Sequence, residues 1–268
     1  MDLRTLESTP PWDWPEDTGQ VLLQILVDDN TDEAERSLAA DLAGDFVVID
    51  DDLAAALLSL AGRSDLPEMI RCEAALSLAT VLEHTFMMGF EDADDILISE
   101  RMYNRIRETL RALYADSTVP LEVRRRILEA SAHAPQAWHR DAVRSAYAAD
   151  DESWRLTAVF CMRFVPGFDD QILAELDNPD SLVQFHAVCA AGTWEIERAW
   201  PQVAALLTAD DIDKDLLSAT IVTAALIRPR EAAELIQPFL ESEDEDIIDA
   251  VMEATTIAGG LVELEDDQ

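Results

Sequence analysis

Lysine is almost missing from this chain: of 19 basic residues only Lys214 is a lysine, and the other 18 are arginines. Basic residues as a whole are few against 56 acidic ones, which leaves a formal net charge of −37. A surface this negative repels a phosphate backbone, so no nucleic-acid partner is expected. Glycine is sparse too, 8 in 268 residues, and none of it forms a phosphate-cradling loop or a G-x-S-x-G elbow; H-E-x-x-H is also missing. No uninterrupted apolar run approaches the roughly 20 residues that a membrane-spanning helix needs, so no membrane partner is expected. The opening MDLRTLESTPPWDWPED has no basic end followed by an apolar core and does not read as a secretory signal, which makes a cytoplasmic location the expectation.

The residues that usually carry chemistry are scattered. Cys72, Cys161 and Cys189 sit in separate helical patterns with no C-x-x-C spacing, which suits small buried hydrophobes better than redox or metal work. His133 and His139 straddle Pro135 and do not share a helix face as an i, i+4 metal pair does. Asp28, Asn30 and Asp32 imitate the opening of a calcium loop, but Glu33 takes its glycine position and Ala39 its bidentate glutamate position. The expectation is a protein that is not an enzyme, with no cofactor and no metal site.

What the chain does have is a period. From Leu176 to Gly192, LDNPDSLVQFHAVCAAG, one helix ends, Asn178 and Pro179 turn the chain, and an apolar helix runs to a glycine. The same shape recurs with helix frames near Ala34, Ile70, Val123, Trp154, Val183, Asp215 and Asp246, at spacings of 36, 53, 31, 29, 32 and 31 residues. A period near 31 means stacked helix pairs. Four residues into each frame stand Leu38, Ala74, Ile127, Ala158, Ala187, Ala219 and Ala250, and one further on Ala39, Ala75, Leu128, Val159, Val188, Thr220 and Val251. The five alanines of the first column would let neighbouring helices approach closely.

Through Asp150 to Ala158, Asn178 to Ala187 and Glu122 to Ala130 the chain resembles the HEAT-repeat family, in particular its short bacterial form with a D-x-x-V-R-x-x-A turn at the second helix of each pair. Repeats one, six and seven keep the spacing but lack the Val-Arg pair. The resemblance implies an all-α fold, a right-handed α-solenoid of about seven HEAT-like helical hairpins, continuous over residues 1–268. It also implies that the second helix of each pair lines a concave face. HEAT-like deoxyhypusine hydroxylases hold two irons on His-Glu dipeptides, and this chain contains no His-Glu dipeptide.

Helices are expected at 20–27, 32–43, 51–61, 67–84, 99–114, 120–132, 135–148, 151–164, 169–177, 179–191, 200–207, 213–227, 229–240 and 242–258. Residues 1–17, with Trp12 and Trp14 in PPWDWP, should cap the first repeat, because the end of a stack must be covered. Ser242 with Glu245 reads as a capping box, Gly259 and Gly260 as a stop, and 261–268 as an acidic tail. The acidic clusters fall before helix starts, where carboxylates satisfy free amides.

Two features point to a partner. The 53-residue spacing holds an insertion, 85–98, bearing Met87, Met88 and Phe90; either it is a soft apolar contact loop, or the flanking helices run longer and bury these side chains. Beside it, Arg101 to Arg163 carries 11 arginines against 8 acids, a net of +3, so the remaining residues carry −40. The candidate partner-binding set is Met87, Met88, Phe90, Arg101, Arg105, Arg124 and Arg125. The function expected is a non-catalytic scaffold or adaptor that binds another protein. The alternatives are an acidic mimic or holdase sequestering a basic partner, and a HEAT-like enzyme.

Overall fold

The computed structural model describes residues 2–92, 95–209 and 211–266, with side chains as far as residue 259. It divides into two compact units, Met1–His139 and Arg140–Gln268. No strand occurs among the described residues.

The first unit contains α1 (Leu3–Glu7), α2 (Thr18–Val27), α3 (Glu33–Ala43), α4 (Asp51–Gly62), α5 (Glu68–Leu76), α6 (Ala79–Met88), α7 (Glu100–Ala115) and α8 (Leu121–Ser131). Helices α2 and α3, α4 and α5, and α7 and α8 pack as hairpins. Their second members, α3, α5 and α8, form one ladder, and their first members, α2, α4 and α7, form another.

The second unit contains α9 (His139–Tyr147, whose first residue closes the first unit), α10 (Glu152–Cys161), α11 (Asp169–Glu175), α12 (Ser181–Thr193), α13 (Trp200–Leu207), α14 (Lys214–Ile227), α15 (Pro229–Ile236) and α16 (Glu245–Asp266). Its hairpins are α11 with α12, α13 with α14, and α15 with α16; the ladder of second members runs α10, α12, α14, α16. Within each unit this repeated pairwise packing is that of an all-α, right-handed α-solenoid of helical hairpins.

The core follows the sequence column that lies one residue beyond the small residues. Ala39, Ala75, Leu128, Val159, Val188, Thr220 and Val251 are each at most 1% exposed, so the same register buries the same position in all seven second helices. The carboxylates before helix starts cap them: Asp32 accepts from the Glu35 amide (2.9 Å), Asp50 from Leu53 (2.8 Å), Asp151 from Ser153 (2.9 Å) and Asp180 from Leu182 (2.9 Å). Each such cap stabilises its helix by about 1 kcal/mol.

Four details depart from the sequence expectation. The helix expected over 67–84 is two, α5 and α6, because the Ser77 hydroxyl donates back to the Glu73 carbonyl (2.9 Å) and bends the chain there. Gly192 stands inside α12, where a Cβ would come within 2.7 Å of Thr223 Oγ1, so it serves the close approach of α14 rather than a stop. Gly259 and Gly260 likewise do not end α16, and its start is held by Asp244 accepting from the Asp246 amide (3.0 Å) instead of a Ser242–Glu245 box. The N-terminal segment forms α1 and a short 3-10 turn, Pro11–Asp13. Trp14 packs against the core there and donates its indole N–H to Leu6 and Thr9 carbonyls (3.1 and 2.9 Å), while Trp12 is 76% exposed. Residues 93–94 of the insertion, Asp210 and residues 267–268 of the acidic tail lie outside the described residues.

Candidate functional site

The structure puts the seven candidate residues in different settings. Met87 and Met88 end α6 and are 73% and 49% exposed, and Phe86 beside them is exposed as well. Gly89, with φ at 71°, then turns the chain, and Phe90 folds inward with its ring edge-on to Tyr103 of α7, centroids 5.8 Å apart. Arg101 and Arg105 are exposed, one turn apart on α7; Tyr103 lies two residues from each, about 200° around the helix, so Phe90 meets the opposite face.

Arg124 and Arg125 are used inside the first unit. Arg125 is buried and donates to both Glu122 carboxylate oxygens (2.9 and 2.5 Å), with Glu129 at 3.7 Å. The Arg124 guanidinium donates to the Tyr114 carbonyl (2.7 Å) at the end of α7 and lies 5.3 Å from that ring. This second contact recurs: Arg71 donates to Ala61 O (3.1 Å), Arg36 to Asp28 O (2.6 Å) and Gln184 to Leu176 O (2.6 Å). In each of these four hairpins a side chain near the start of the second helix satisfies a carbonyl at the end of the first, where the helix has no internal donor left.

A second built feature is the buried Glu175. Its carboxylate accepts from the Tyr147 hydroxyl (2.6 Å), Arg155 Nη2 (2.7 Å) and Asn178 Nδ2 (2.5 Å), which ties α9, α10 and α11 together. Burial works to raise its pKa, but these three donors outweigh it and hold the carboxyl below the ordinary glutamate range.

Concave places remain among the described residues that the chain does not fill. In the first unit a cavity of about 530 Å³ is lined by Trp14, Phe46, Leu42, Leu76, Asp41 and Glu73, among others. In the second unit a groove of about 610 Å³ runs over α12, α14 and α16. Phe185, Ala219, Val222 and Leu226 give it an apolar floor; Asp246, Asp249 and Glu253, three and four residues apart on one face of α16, line its side with Asp215. Lys214 pairs with Asp246, but Asp215, Asp249 and Glu253 accept no hydrogen bond and make no ion pair through their carboxylates among the described residues. Arg163 also lines the groove, its guanidinium 5.9 and 5.6 Å from the Phe160 and Phe164 rings and its Nε buried without a hydrogen-bond partner. The sequence carried one sign of this groove: Ala219, Val222 and Leu226 add a half-exposed apolar stripe to a helix whose other face is already core.

Burial favours the neutral forms of two thiols and two imidazoles. Burial pushes the Cys72 thiol up to about 11, with Glu122 adding to it, and raises Cys189. Burial drops both His139 and His186 to about 4, each with a smaller push from a nearby arginine. No group of three or more His, Cys, Asp or Glu among the described residues is arranged to hold a metal ion. No helix among them is long and apolar enough to cross a membrane.

These elements define a class, the all-helical repeat protein. No family model matches the chain, and no curated protein matches its sequence. Among solved structures it is similar to YibA of Escherichia coli, at 15% identity and a TM-score of 0.48 over 91% of this chain and 83% of that one. It is also similar to human deoxyhypusine hydroxylase in complex with glycerol, at 16% identity and 0.43 over 96% and 88%. Kap121p bound to Ste12p shares 15% identity at 0.42, over 91% of this chain but 27% of that one.

Proposed function

We propose that this protein is a non-catalytic scaffold of HEAT-like hairpins, located in the cytoplasm, that binds a segment of another protein. The observation that carries this reading is the groove over α12, α14 and α16: an apolar floor beside three carboxylates, Asp215, Asp249 and Glu253, that no hydrogen bond or ion pair among the described residues reaches. Apolar floor and charged edge together are the requirements of helix-in-groove recognition, in which a partner helix seats side chains spaced at i, i+3 and i+7. The charge selects a partner segment with lysine or arginine along one flank and disfavours an acidic one. This brings the scaffold reading together with that of an acidic protein taking a basic partner. Arg163 at the other wall suits an acceptor on the same segment.

Met87, Met88 and Phe86 are a second proposed contact surface, and Arg101 and Arg105, exposed on α7 with no ion pair among the described residues, are a separate one of opposite charge preference to the groove. Exposed, adjacent, flexible thioethers favour adaptable contact.

Selection of random helical peptides displayed against the purified protein tests the reading. The selected peptides should alternate apolar and basic residues at helical spacing and lose binding to Asp249→Lys with Glu253→Lys. Selected peptides without basic residues, or unaffected by those substitutions, would overturn it.

A further inference from the structure

The first unit holds a cavity of a different kind. Gly44 ends α3 directly against Ser77 after α5; a Cβ on Gly44 would lie 2.5 Å from the Ser77 carbonyl oxygen and 2.9 Å from its Cα. This contact brings the ends of α3 and α5 together, and the N-terminal segment lays Trp14 beside them. The result is the cavity of about 530 Å³ whose lining includes Trp14, Phe46, Asp41 and Glu73. Glu7, Asp41 and Glu73 also border a neighbouring hollow.

No hydrogen bond or ion pair among the described residues reaches the side chains of Glu7, Asp41 or Glu73, although Glu73 is half-buried. The basic groups nearby do not neutralise them. Arg4 borders the neighbouring hollow together with all three but makes no ion pair with them among the described residues, and Arg126 is already held by Glu122 (3.2 Å) and Glu129 (3.0 Å). Asp45, also in the lining, accepts from the Val47 amide (2.8 Å). Burial and then the Glu7 charge raise the Asp41 pKa, and burial and then the Asp41 charge raise that of Glu73, with Arg126 only partly offsetting it. Glu7 and Asp41 are exposed at the rim and Glu73 is half-buried in the lining, and no ion pair among the described residues gives any of the three a counter-charge.

We propose that this cavity is a binding site for one arginine side chain of a partner polypeptide, its guanidinium set between Asp41 and Glu73 and its planar face on the aromatic lining. Arginine fits better than lysine. Its flat, weakly hydrated guanidinium stacks on indole and phenyl faces while its edge donates to two carboxylates at once, whereas an ammonium is a compact and strongly hydrated point charge. The site is independent of the groove in the second unit and shares with the functional reading only the assumption that the arginine arrives on a protein.

The test uses N-acetyl-arginine amide as probe, with the whole protein, followed by calorimetry and by the NMR signal of the Trp14 indole N–H. The probe should bind and shift that signal, and binding near pH 5 should release protons, because a bound cation returns Asp41 and Glu73 to their charged forms. Asp41→Asn with Glu73→Gln should weaken binding about tenfold or more. N-acetyl-citrulline amide, neutral and of the same shape, should bind at least about tenfold more weakly. Asp249→Asn with Glu253→Gln, which alters only the other groove, should leave the probe's affinity unchanged; this separates failure of the pocket from failure of the groove. Equal binding of the citrulline probe, an unchanged affinity in the Asp41/Glu73 variant, or spermidine binding as tightly as the arginine probe would each overturn the assignment, the last by showing diffuse counter-ion attraction.

Discussion

Arg124 donates its guanidinium N–H to the carbonyl oxygen of Tyr114 at 2.7 Å, closing the hairpin of α7 and α8 from inside. Because Arg71 and Arg36 make the equivalent bond in the two hairpins before it, the arginine of each is a structural part of the repeat. Arg124→Met and Arg71→Met should each cost about 1 kcal/mol and lower Tm by a few degrees, through one lost hydrogen bond per variant. Arg101→Glu with Arg105→Glu should leave Tm unchanged. Thermal unfolding followed by circular dichroism separates the two pairs; equal losses in both would refute the distinction.

Glu175 is the most committed acid in the second unit, and it should dominate that unit's response to substitution. Glu175→Leu leaves Tyr147, Arg155 and Asn178 without their shared acceptor, at a cost of about 2 kcal/mol, moderated because Arg155 remains half open to water. Urea unfolding should show the midpoint falling, and Arg155→Met in the Glu175→Leu background should add little to the loss.

Acid should weaken the fold before the carboxylates titrate. Below pH 6.5 the unfolded chain takes up protons at His139 and His186 that the folded protein refuses until about 4, so stability falls as pH drops through that window. Glu175, depressed below the ordinary glutamate range, adds its own loss at lower pH. The urea midpoint should decline steadily from pH 7 to 5, and His186→Leu should flatten that decline. A flat profile in the parent protein would contradict the burial of both imidazoles.

Two glycines should respond in opposite directions. Gly44→Ala drives a Cβ into the Ser77 backbone and should destabilise by about 1–3 kcal/mol. Gly62, at the end of α4 with open space around it, should gain up to about 1 kcal/mol on replacement by alanine. A gain on Gly44→Ala in a denaturant titration would show that the α3–α5 approach is looser than described, and a loss on Gly62→Ala that the end of α4 is more crowded than described.

Much of the architecture was legible because it repeats. A column from Ala39 to Val251 that is buried in every second helix follows from spacing alone, as do caps such as Asp32 and Ser99. What sequence could not show was the use of each exposed or polar group. Arg124 and Arg125 stand side by side in an arginine-rich run, yet their targets are a carbonyl ten residues back and a carboxylate one turn away, and only the hairpin geometry brings these within reach. The break at Ser77 depends on one hydroxyl choosing a backbone acceptor. The groove needs three helices distant in sequence, so Asp215 and Glu253 read separately as ordinary surface acids.

Affinity for a basic amphipathic peptide of leucine and lysine, compared between the parent protein and Leu226→Asp at 0.15 M salt, tests the central claim most directly. A peptide attracted merely by net charge would bind the variant, one charge more negative, at least as well. A peptide seated in the groove would lose the apolar contact at its floor, and its affinity should fall about tenfold or more. Unchanged or tighter binding to Leu226→Asp would contradict the docking groove and with it the scaffold reading built on it.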